Sequence, residues 1–169
     1  MSLNRNLLIL CMSLIFFSTA HALPEDSKQM INVISDSYEF NYKTGTDIYE
    51  GHVQVDQGST HLIADRLVTQ KNDQHKMVSA IAYGITKLAE YHTVPKQGDL
   101  VLIAKAKVIK YYPGTATIVL QDQVLVTQGE NSFHGPYIVY NIKDQTVSAP
   151  PSKQGRAHIV IGPNKISHE

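Results

Sequence analysis

Hydrophobic and polar positions alternate with a period of two over much of this chain. Val53 and Val55 flank a polar residue, and Val124 and Val126 repeat this spacing later in the sequence. Such alternation is typical of β-strands that bury one face, because successive side chains of a strand point to opposite sides. The sequence therefore predicts an all-β protein.

Ten segments rich in Val, Ile, Thr and Tyr fit such strands. They are 30–35, 37–43, 46–56, 60–70, 76–91, 99–112, 115–128, 131–142, 145–149 and 156–162. Globular strands are mostly 3 to 10 residues long, so we expect the longer segments to contain a bend or bulge. The segments are joined by short turns rich in Gly, Asn, Asp and Pro, without helical crossovers, which favours antiparallel pairing.

The sequence also contains an internal repeat. Residues 53–68 align without a gap with residues 124–139, at an offset of 71 residues, and the segments before them correspond with small gaps. Each repeat has a small residue between two extended stretches, which indicates a corner where a bulky side chain would clash. These small residues are Ser35, Ala64, Ala104 and Gly135. Two similar halves predict strands stacked in series and not a closed barrel.

The first 22 residues have the features of an export signal. Arg5 supplies a positive charge, residues 7–17 are apolar, and Ala20 and Ala22 are the small residues that signal peptidase requires. The apolar run is shorter than the roughly 20 residues that a membrane-spanning helix needs. We therefore expect residues 1–22 to be cleaved after Ala22 and the protein to be exported.

The sole cysteine, Cys11, lies in mid-run of the expected signal, where a lipid anchor would not be attached. The mature chain would therefore contain no cysteine, and its stability must come from sheet pairing and packing. We expect one domain over residues 23–162 and a flexible tail over residues 163–169.

Motifs for catalysis are missing from the sequence. There is no Gly-x-Ser-x-Gly nucleophile motif and no glycine-rich phosphate loop, and no two histidines have metal-ligand spacing. Asp36 and Asp65 follow small corner residues, a position that favours backbone hydrogen bonds over acid–base chemistry. The formal net charge of +0 gives no sign of a nucleic-acid partner. We expect no enzyme activity, no metal and no cofactor.

One face of each strand is apolar and mostly aliphatic. The chain has no Trp, and Phe40 and Phe133 are the only phenylalanines after the expected signal. Slender side chains on two stacked sheets could leave an unfilled slot that suits acyl chains, since a 12-carbon chain left in water costs about 10 kcal/mol. An ordinary hydrophobic core is the alternative that composition leaves open.

Several motifs occur in a specific order along the chain. They are residues 48–68, with a Gly-x-Val-x-Val-x-Gln-Gly stretch, and residues 81–91, 103–112 and 124–149. Together they resemble the OstA-like (LptA) family of periplasmic lipopolysaccharide-transport bridge proteins. The resemblance covers residues 29–162, nearly the whole expected mature chain.

This resemblance implies a twisted antiparallel β-jellyroll, open like a clamshell and built of about 16 short strands. It implies that the chain binds the acyl chains of lipopolysaccharide in an apolar groove and carries the lipid across the periplasm, from inner to outer membrane, without catalysis. The implied partners are the inner-membrane protein LptC at the N-terminal edge, the outer-membrane translocon LptD at the C-terminal edge, and further copies end to end. A periplasmic β-structured scaffold or chaperone without lipid flow is the alternative.

The apolar phase of the strands and the family motifs together give the candidate groove residues. The resemblance contributes Ile31, near the lipid entrance, and Ile109 and Tyr111; Ala89 stands where the family has an aromatic residue, with Tyr91 two residues on. The full set is Ile31, Val33, Tyr49, Val53, Val55, Leu62, Ala64, Leu67, Ile109, Tyr111, Val124, Val126, Phe133, Ile138 and Tyr140.

Overall fold

The computed structural model describes residues 28–95, 97–144 and 146–163. The expected export signal, its cleavage after Ala22 and tail residues 164–169 lie outside these residues. Within them, twelve strands pair antiparallel into one continuous sheet, and there is no α-helix. The predicted all-β antiparallel class is confirmed.

The strands form two groups of six. The first group is β1 (Asn32–Ile34), β2 (Ser37–Asn41), β3 (Thr46–Gln57), β4 (Thr60–Lys71), β5 (Met77–Tyr83) and β6 (Ala89–Thr93). The second group is β7 (Leu102–Ala106), β8 (Val108–Tyr112), β9 (Thr117–Gln128), β10 (Asn131–Asn141), β11 (Thr146–Ser148) and β12 (His158–Val160). The segments predicted at 76–91 and 99–112 are each two strands, because the chain bends near Gly84 and at Lys107.

The sheet is folded into two layers because the four longest strands, β3, β4, β9 and β10, bend in their middle. One layer contains β1, β6, β7 and β12 with one half of each bent strand; the other contains β2, β5, β8 and β11 with the remaining halves. We call them layer A and layer B. Counting each bent strand twice gives 16 short segments, which agrees with the number expected from the resemblance.

In β3 and β9 the bends are made by residues in the left-handed region of φ. In β3, Gly51 and His52 have φ values of 78° and 45°, next to a register shift between Glu50 and Val53. In β9, Asp122 and Gln123 have φ values of 60° and 55°. Two left-handed residues in a row turn the strand, and a bulge of this kind re-aims the side chains that follow it.

The two groups of strands repeat the same plan. The backbone N–H of Asp36 donates to the carbonyl of Gly51 at 2.9 Å, and that of Lys107 donates to the carbonyl of Asp122 at 2.8 Å. Asp36 and Lys107 are 71 residues apart, as are Gly51 and Asp122. The offset of the repeat therefore continues without a gap on the N-terminal side of the bend. At this offset Ser35 corresponds to Ala106. From the sequence, Ser35 and Ala104 were expected to be equivalent corner residues, and that expectation was wrong by two residues.

The two groups are joined edge to edge, since β6 pairs with β7 and β5 pairs with β8. At one end of the protein, β1 and β2 pair only with β3. At the other end, β11 and β12 pair only with β10. Each end therefore presents two strand edges that have no partner among the described residues.

Gly84 offers a test of the bend between β5 and β6. A Cβ atom at Gly84 would lie 2.3 Å from both the Ala89 nitrogen and the Lys87 carbonyl oxygen, whereas one at Gly114 would meet nothing within 4 Å. We predict that Gly84→Ala lowers the free energy of unfolding by about 1–3 kcal/mol, and that Gly114→Ala changes it by less than about 0.5 kcal/mol. Urea unfolding followed by circular dichroism measures both, and equal losses would contradict the prediction.

Candidate functional site

The inward-facing side chains lie in rows that cross the strands from one end of the protein to the other. One row in layer A is Val33, Val55, Leu62, Tyr91, Ala104, Val126, Phe133 and Ile159. One row in layer B is Tyr38, Tyr49, Leu67, Ala82, Ile109, Leu120 and Ile138. Neighbouring strands are about 4.8 Å apart, so a row of eight is about 34 Å long. Side chains of both rows belong to one hydrophobic cluster, so the layers enclose a shared apolar interior.

The inward-facing side chains at the bend are small. Ala89 and Ala106 are both 0% exposed, and Ala64 is 6% exposed. Alanine allows the two layers to approach closely there. Larger side chains farther from the bend, such as Tyr111 and Phe133, are only partly buried. The apolar interior is therefore closed to solvent at the bend and partly accessible toward its outer rims.

The structure brings all but one of the predicted groove residues into this cluster. The buried members are Val53, Ala64, Leu67, Ile109, Val124 and Ile138. The partly buried members are Val33, Tyr49, Val55, Leu62, Tyr111, Val126, Phe133 and Tyr140. Ile31 lies outside the cluster and is 55% exposed. It lines a cleft of about 560 Å³ at the N-terminal end of the groove, together with Val33 and Tyr49.

Sequence reasoning missed several residues of this hydrophobic cluster. These are Ala80, Ala82, Leu102, Ala106, Ile118 and Leu120. Ala89, Tyr91 and Ala104, which the sequence analysis named but did not include in the candidate set, also belong to the cluster. Alanine is only weakly hydrophobic, so it does not stand out in the alternating pattern. The interruptions of the strands after Gly84 and at Lys107 also shift which alternate residues face inward. The repeat did contain a signal for Leu120, because it corresponds to Tyr49. Tyr91 lies in the same phase as Ala89, so it supplies an inward aromatic ring two residues farther from the bend.

The outward-facing phase contains both polar and apolar side chains, and ion pairs connect neighbouring strands on this face. Lys105 pairs with Glu90 at 2.7 Å, and Arg66 with Glu50 at 3.0 Å. Residues 28–95, 97–144 and 146–163 contain no group of three His, Cys, Asp or Glu side chains that could hold a metal ion. No helix in the described part of the chain is long and apolar enough to cross a membrane.

Asp65 fixes the loop between β5 and β6. Its carboxylate accepts the backbone N–H groups of Ile85 and Thr86 at 2.6 Å and the Thr86 hydroxyl at 2.9 Å. The hydrogen bonds from Thr86, more than those from Ile85, lower the pKa of the Asp65 carboxyl. This agrees with the backbone role expected for Asp65.

Asp47 is the one buried charged residue on the inward face of the described strands, with 2% exposure. Its carboxylate accepts the Tyr38 hydroxyl at 2.8 Å and the Thr69 hydroxyl at 2.9 Å, and the Lys71 ammonium lies 2.8 Å away. Burial raises the pKa of Asp47, but the hydrogen bonds from Lys71, Tyr38 and Thr69 outweigh it and lower the pKa. The stability that they give is therefore present above the ordinary pKa of 3.8 and lost as pH falls through the lowered value. The hydrogen bond to Asp47 raises the pKa of the Tyr38 hydroxyl to about 12.

This Asp47 cluster distinguishes the two halves of the groove. Its members Tyr38, Asp47, Thr69 and Lys71 correspond in the second half to Ile109, Ile118, Tyr140 and Ile142. The equivalent place in the second half is therefore apolar. In the first half, the cluster ties the edge strand β2, through Tyr38, to β3 and β4.

The profile of the family described as "LptA/(LptD N-terminal domain) LPS transport protein" matches residues 32–146. The lipopolysaccharide export system protein LptH of Pseudomonas aeruginosa is 36% identical over 155 residues, which cover 88% of this chain and 87% of LptH. The export system protein LptA of Haemophilus influenzae is 24% identical over 167 residues, covering 96% of this chain and 94% of LptA.

The fold is also that of a solved structure. The crystal structure of LptH, the LptA homologous periplasmic component of the lipopolysaccharide transport device of P. aeruginosa, matches with a TM-score of 0.74 and 32% identity. The match covers 83% of this chain and 100% of that one. The β-jellyroll expected from the sequence is thereby confirmed.

Lys71 and Asp47 allow the polar cluster to be tested. We predict that Lys71→Met lowers the free energy of unfolding by about 2 kcal/mol, because it leaves a buried carboxylate without its cation. The double variant Asp47→Ile with Lys71→Met should regain at least half of that loss, since Ile118 fills the equivalent place in the second half. Urea unfolding at pH 7 measures both. A double variant less stable than Lys71→Met would show that the cluster cannot be replaced by apolar packing.

Proposed function

The chain belongs to the LptA/LptD N-terminal domain family of lipopolysaccharide transport proteins, and from this premise we propose that it carries lipopolysaccharide across the periplasm from the inner to the outer membrane. The acyl chains would lie in the groove between layers A and B. The observation that carries the proposal is the continuous apolar interior, which runs from the β1 end of the protein to the β12 end. The protein would act without catalysis, as a passive path.

The chemistry of the groove suits acyl chains. Shielding one CH₂ group from water is worth about 0.8 kcal/mol, so a 12-carbon chain gains about 10 kcal/mol in such a groove. The Asp47 carboxylate is neutralised by Lys71 and does not break the apolar path along the bend. The candidate groove residues from Val33 to Tyr140 would contact the chains, with Ile31 at the entrance.

The open ends support a place within a larger bridge. Unpaired strand edges present free N–H and C=O groups that invite another strand. Large apolar side chains are exposed at both ends: Ile34 and Tyr38 are 55% and 57% exposed, and Val147 and Ile159 are 62% and 60% exposed. The N-terminal edge would meet the inner-membrane partner LptC, the C-terminal edge the outer-membrane translocon LptD, and either edge a further copy of this chain.

Location in the periplasm rests on the export signal proposed for residues 1–22. Cleavage after Ala22 would release the domain on the side of the inner membrane where a lipid must be shielded from water. No nucleotide-binding motif is found in the sequence, so the energy for transport would come from a partner.

Phe133 and His134 are neighbours on β10 whose side chains point to opposite faces, and they give a matched test of the groove. A photo-crosslinking amino acid at Phe133 should capture lipopolysaccharide in cells, because this position faces the interior; the same residue at His134 should not. The adduct is detected by immunoblotting with a lipopolysaccharide antibody. Ile109 and Lys110 provide the same comparison on β8. Equal labelling of inward and outward positions would contradict the groove.

Depletion of the protein separates transport from a scaffold or chaperone role. We predict that newly made lipopolysaccharide accumulates at the inner membrane when the chain is depleted, since its path is interrupted. Membrane fractionation after a radioactive pulse measures this. Normal delivery to the outer membrane under depletion would favour the scaffold.

A further inference from the structure

Two histidines face each other across the strand pair β10–β12. His134 lies directly opposite His158, and the centres of their imidazole rings are 6.2 Å apart. Both side chains are exposed on the outer face of layer A, because the neighbouring Phe133 packs in the hydrophobic cluster and successive side chains of a strand alternate. The two histidines are far apart in the sequence. Local spacing, on which the expectation of no metal rested, does not reveal such a cross-strand pair.

The nitrogens of both rings are available to a ligand. In the part of the chain that the structure describes, neither side chain has a hydrogen bond or an ion pair with another residue. The other cross-strand histidine pair, His61 opposite His92, differs in this respect. Nδ1 of His61 lies 2.5 Å from the Asp56 carboxylate, and Nε2 of His92 lies 3.2 Å from the Glu90 carboxylate. Carboxylates therefore engage that pair, whereas His134 and His158 face each other with free nitrogens.

The separation of the two free rings fits a shared zinc ion. Zn²⁺ binds an imidazole nitrogen at about 2.1 Å and therefore lies about 3.2 Å from the centre of the ring. Two rings on one ion then have centres about 5.2 Å apart at the tetrahedral angle and at most about 6.4 Å apart. The observed 6.2 Å lies at the wide end of this range. Because both side chains are exposed, a rotation of their rings brings them to the tetrahedral arrangement without moving the strands.

The equivalent place in the first half of the chain is built differently. There Ile63 on β4 lies opposite Glu90 on β6, and β6 also pairs with β7 on its other side. The Lys105 ammonium donates to the Glu90 carboxylate at 2.7 Å, which ties β6 to β7. Among the described residues, the three-residue strand β12 has β10 as its single strand neighbour. It therefore lacks the second ladder and the ion pair that hold its counterpart β6.

We propose that His134 and His158 together bind a divalent transition-metal ion, of which Zn²⁺ is the representative, and that this ion fastens β12 to β10. Imidazole is a preferred ligand of such ions. Two protein ligands are fewer than the three of a catalytic zinc centre, so water completes the tetrahedral set.

The ion acts on the end of the groove without entering it. Ile159, the middle residue of β12, lies opposite Phe133 and ends the apolar row of layer A. Because side chains alternate along a strand, an ion held by His134 and His158 lies on the other side of the sheet. Fastening β12 from outside keeps Ile159 in its place at the end of the row.

Metal binding is tested with the mature chain, prepared without a purification tag and titrated with Zn²⁺ at pH 7. NMR of the imidazole and amide groups should show one ion per chain, with the changes centred on His134 and His158. Mg²⁺, which prefers oxygen ligands, should produce none. His134→Gln or His158→Gln should weaken zinc binding at least about tenfold, since even the loss of an outer-shell partner costs this much. His61→Gln, in the other cross-strand pair, is the matched control and should retain binding.

The fastening of β12 is tested by amide hydrogen exchange. Exchange of residues 158–160 should slow at least about fivefold when the site is saturated with Zn²⁺, because an ion that binds the paired strands opposes their separation. A chelator should reverse the effect, and the His134→Gln protein should not show it. The strand β11, which lies on the other half of β10 and has no histidine, is the internal control and should not change.

The outcomes bear on separate parts of the proposal. Zinc binding that is unchanged in the double variant His134→Gln with His158→Gln would overturn the site and assign the ion to other residues. Binding at the pair without slower exchange in β12 would overturn the fastening. An unmodified chain that binds no Zn²⁺ at millimolar concentration would overturn both. All measurements use purified protein without lipid, so they are independent of the proposed transport.

Discussion

The bend in the four long strands is the constraint on which the rest of the structure depends. A flat sheet of these strands would leave its apolar face in contact with water on one side. The consecutive left-handed residues, Gly51 with His52 and Asp122 with Gln123, fold the sheet onto itself without ending the strands. The backbone ladder is kept on both sides of the bend, and the apolar faces of both layers point to the same interior. The alanines at the bend then decide how closely the layers meet.

Much of the fold could be predicted from the sequence because the period-two alternation is a local property. The long strands β3, β4, β9 and β10 were found nearly to their ends, and the repeat correctly paired Val53 with Val124. The bend near Gly84 was not located, and the bend at Lys107 was placed at Ala104, because several small residues lie near each bend and the sequence does not show which of them makes the corner. For the same reason Ser35 was matched to Ala104, where hydrogen bonding across the bend matches it to Ala106.

The candidate site was predicted where side chains are large and apolar, and missed where they are small or polar. Ala80 and Ala106 carry too little hydrophobicity to stand out, yet they face the apolar interior because of their strand position. Asp47 was missed because its partner Lys71 lies in a different strand and its burial comes from tertiary packing. The Asp47 cluster also helps to hold the edge strand β2 in place, through Tyr38. The edge strand β2 has β3 as its one sheet neighbour, whereas its counterpart β8 is held between β5 and β9.

The shortness of the outermost strands has a mechanical consequence. The strands β11 and β12 are three residues each, whereas β3 and β4 are twelve residues each and pair along most of their length. In a chain of copies joined at these ends, tension along the axis would act on every strand pair in series. The joint, and the three-residue attachments of β11 and β12 to β10, would yield before the long strand pairs separated. Such a bridge would part near its joints when the distance between its anchors grows, while the bent strands of each copy stay folded.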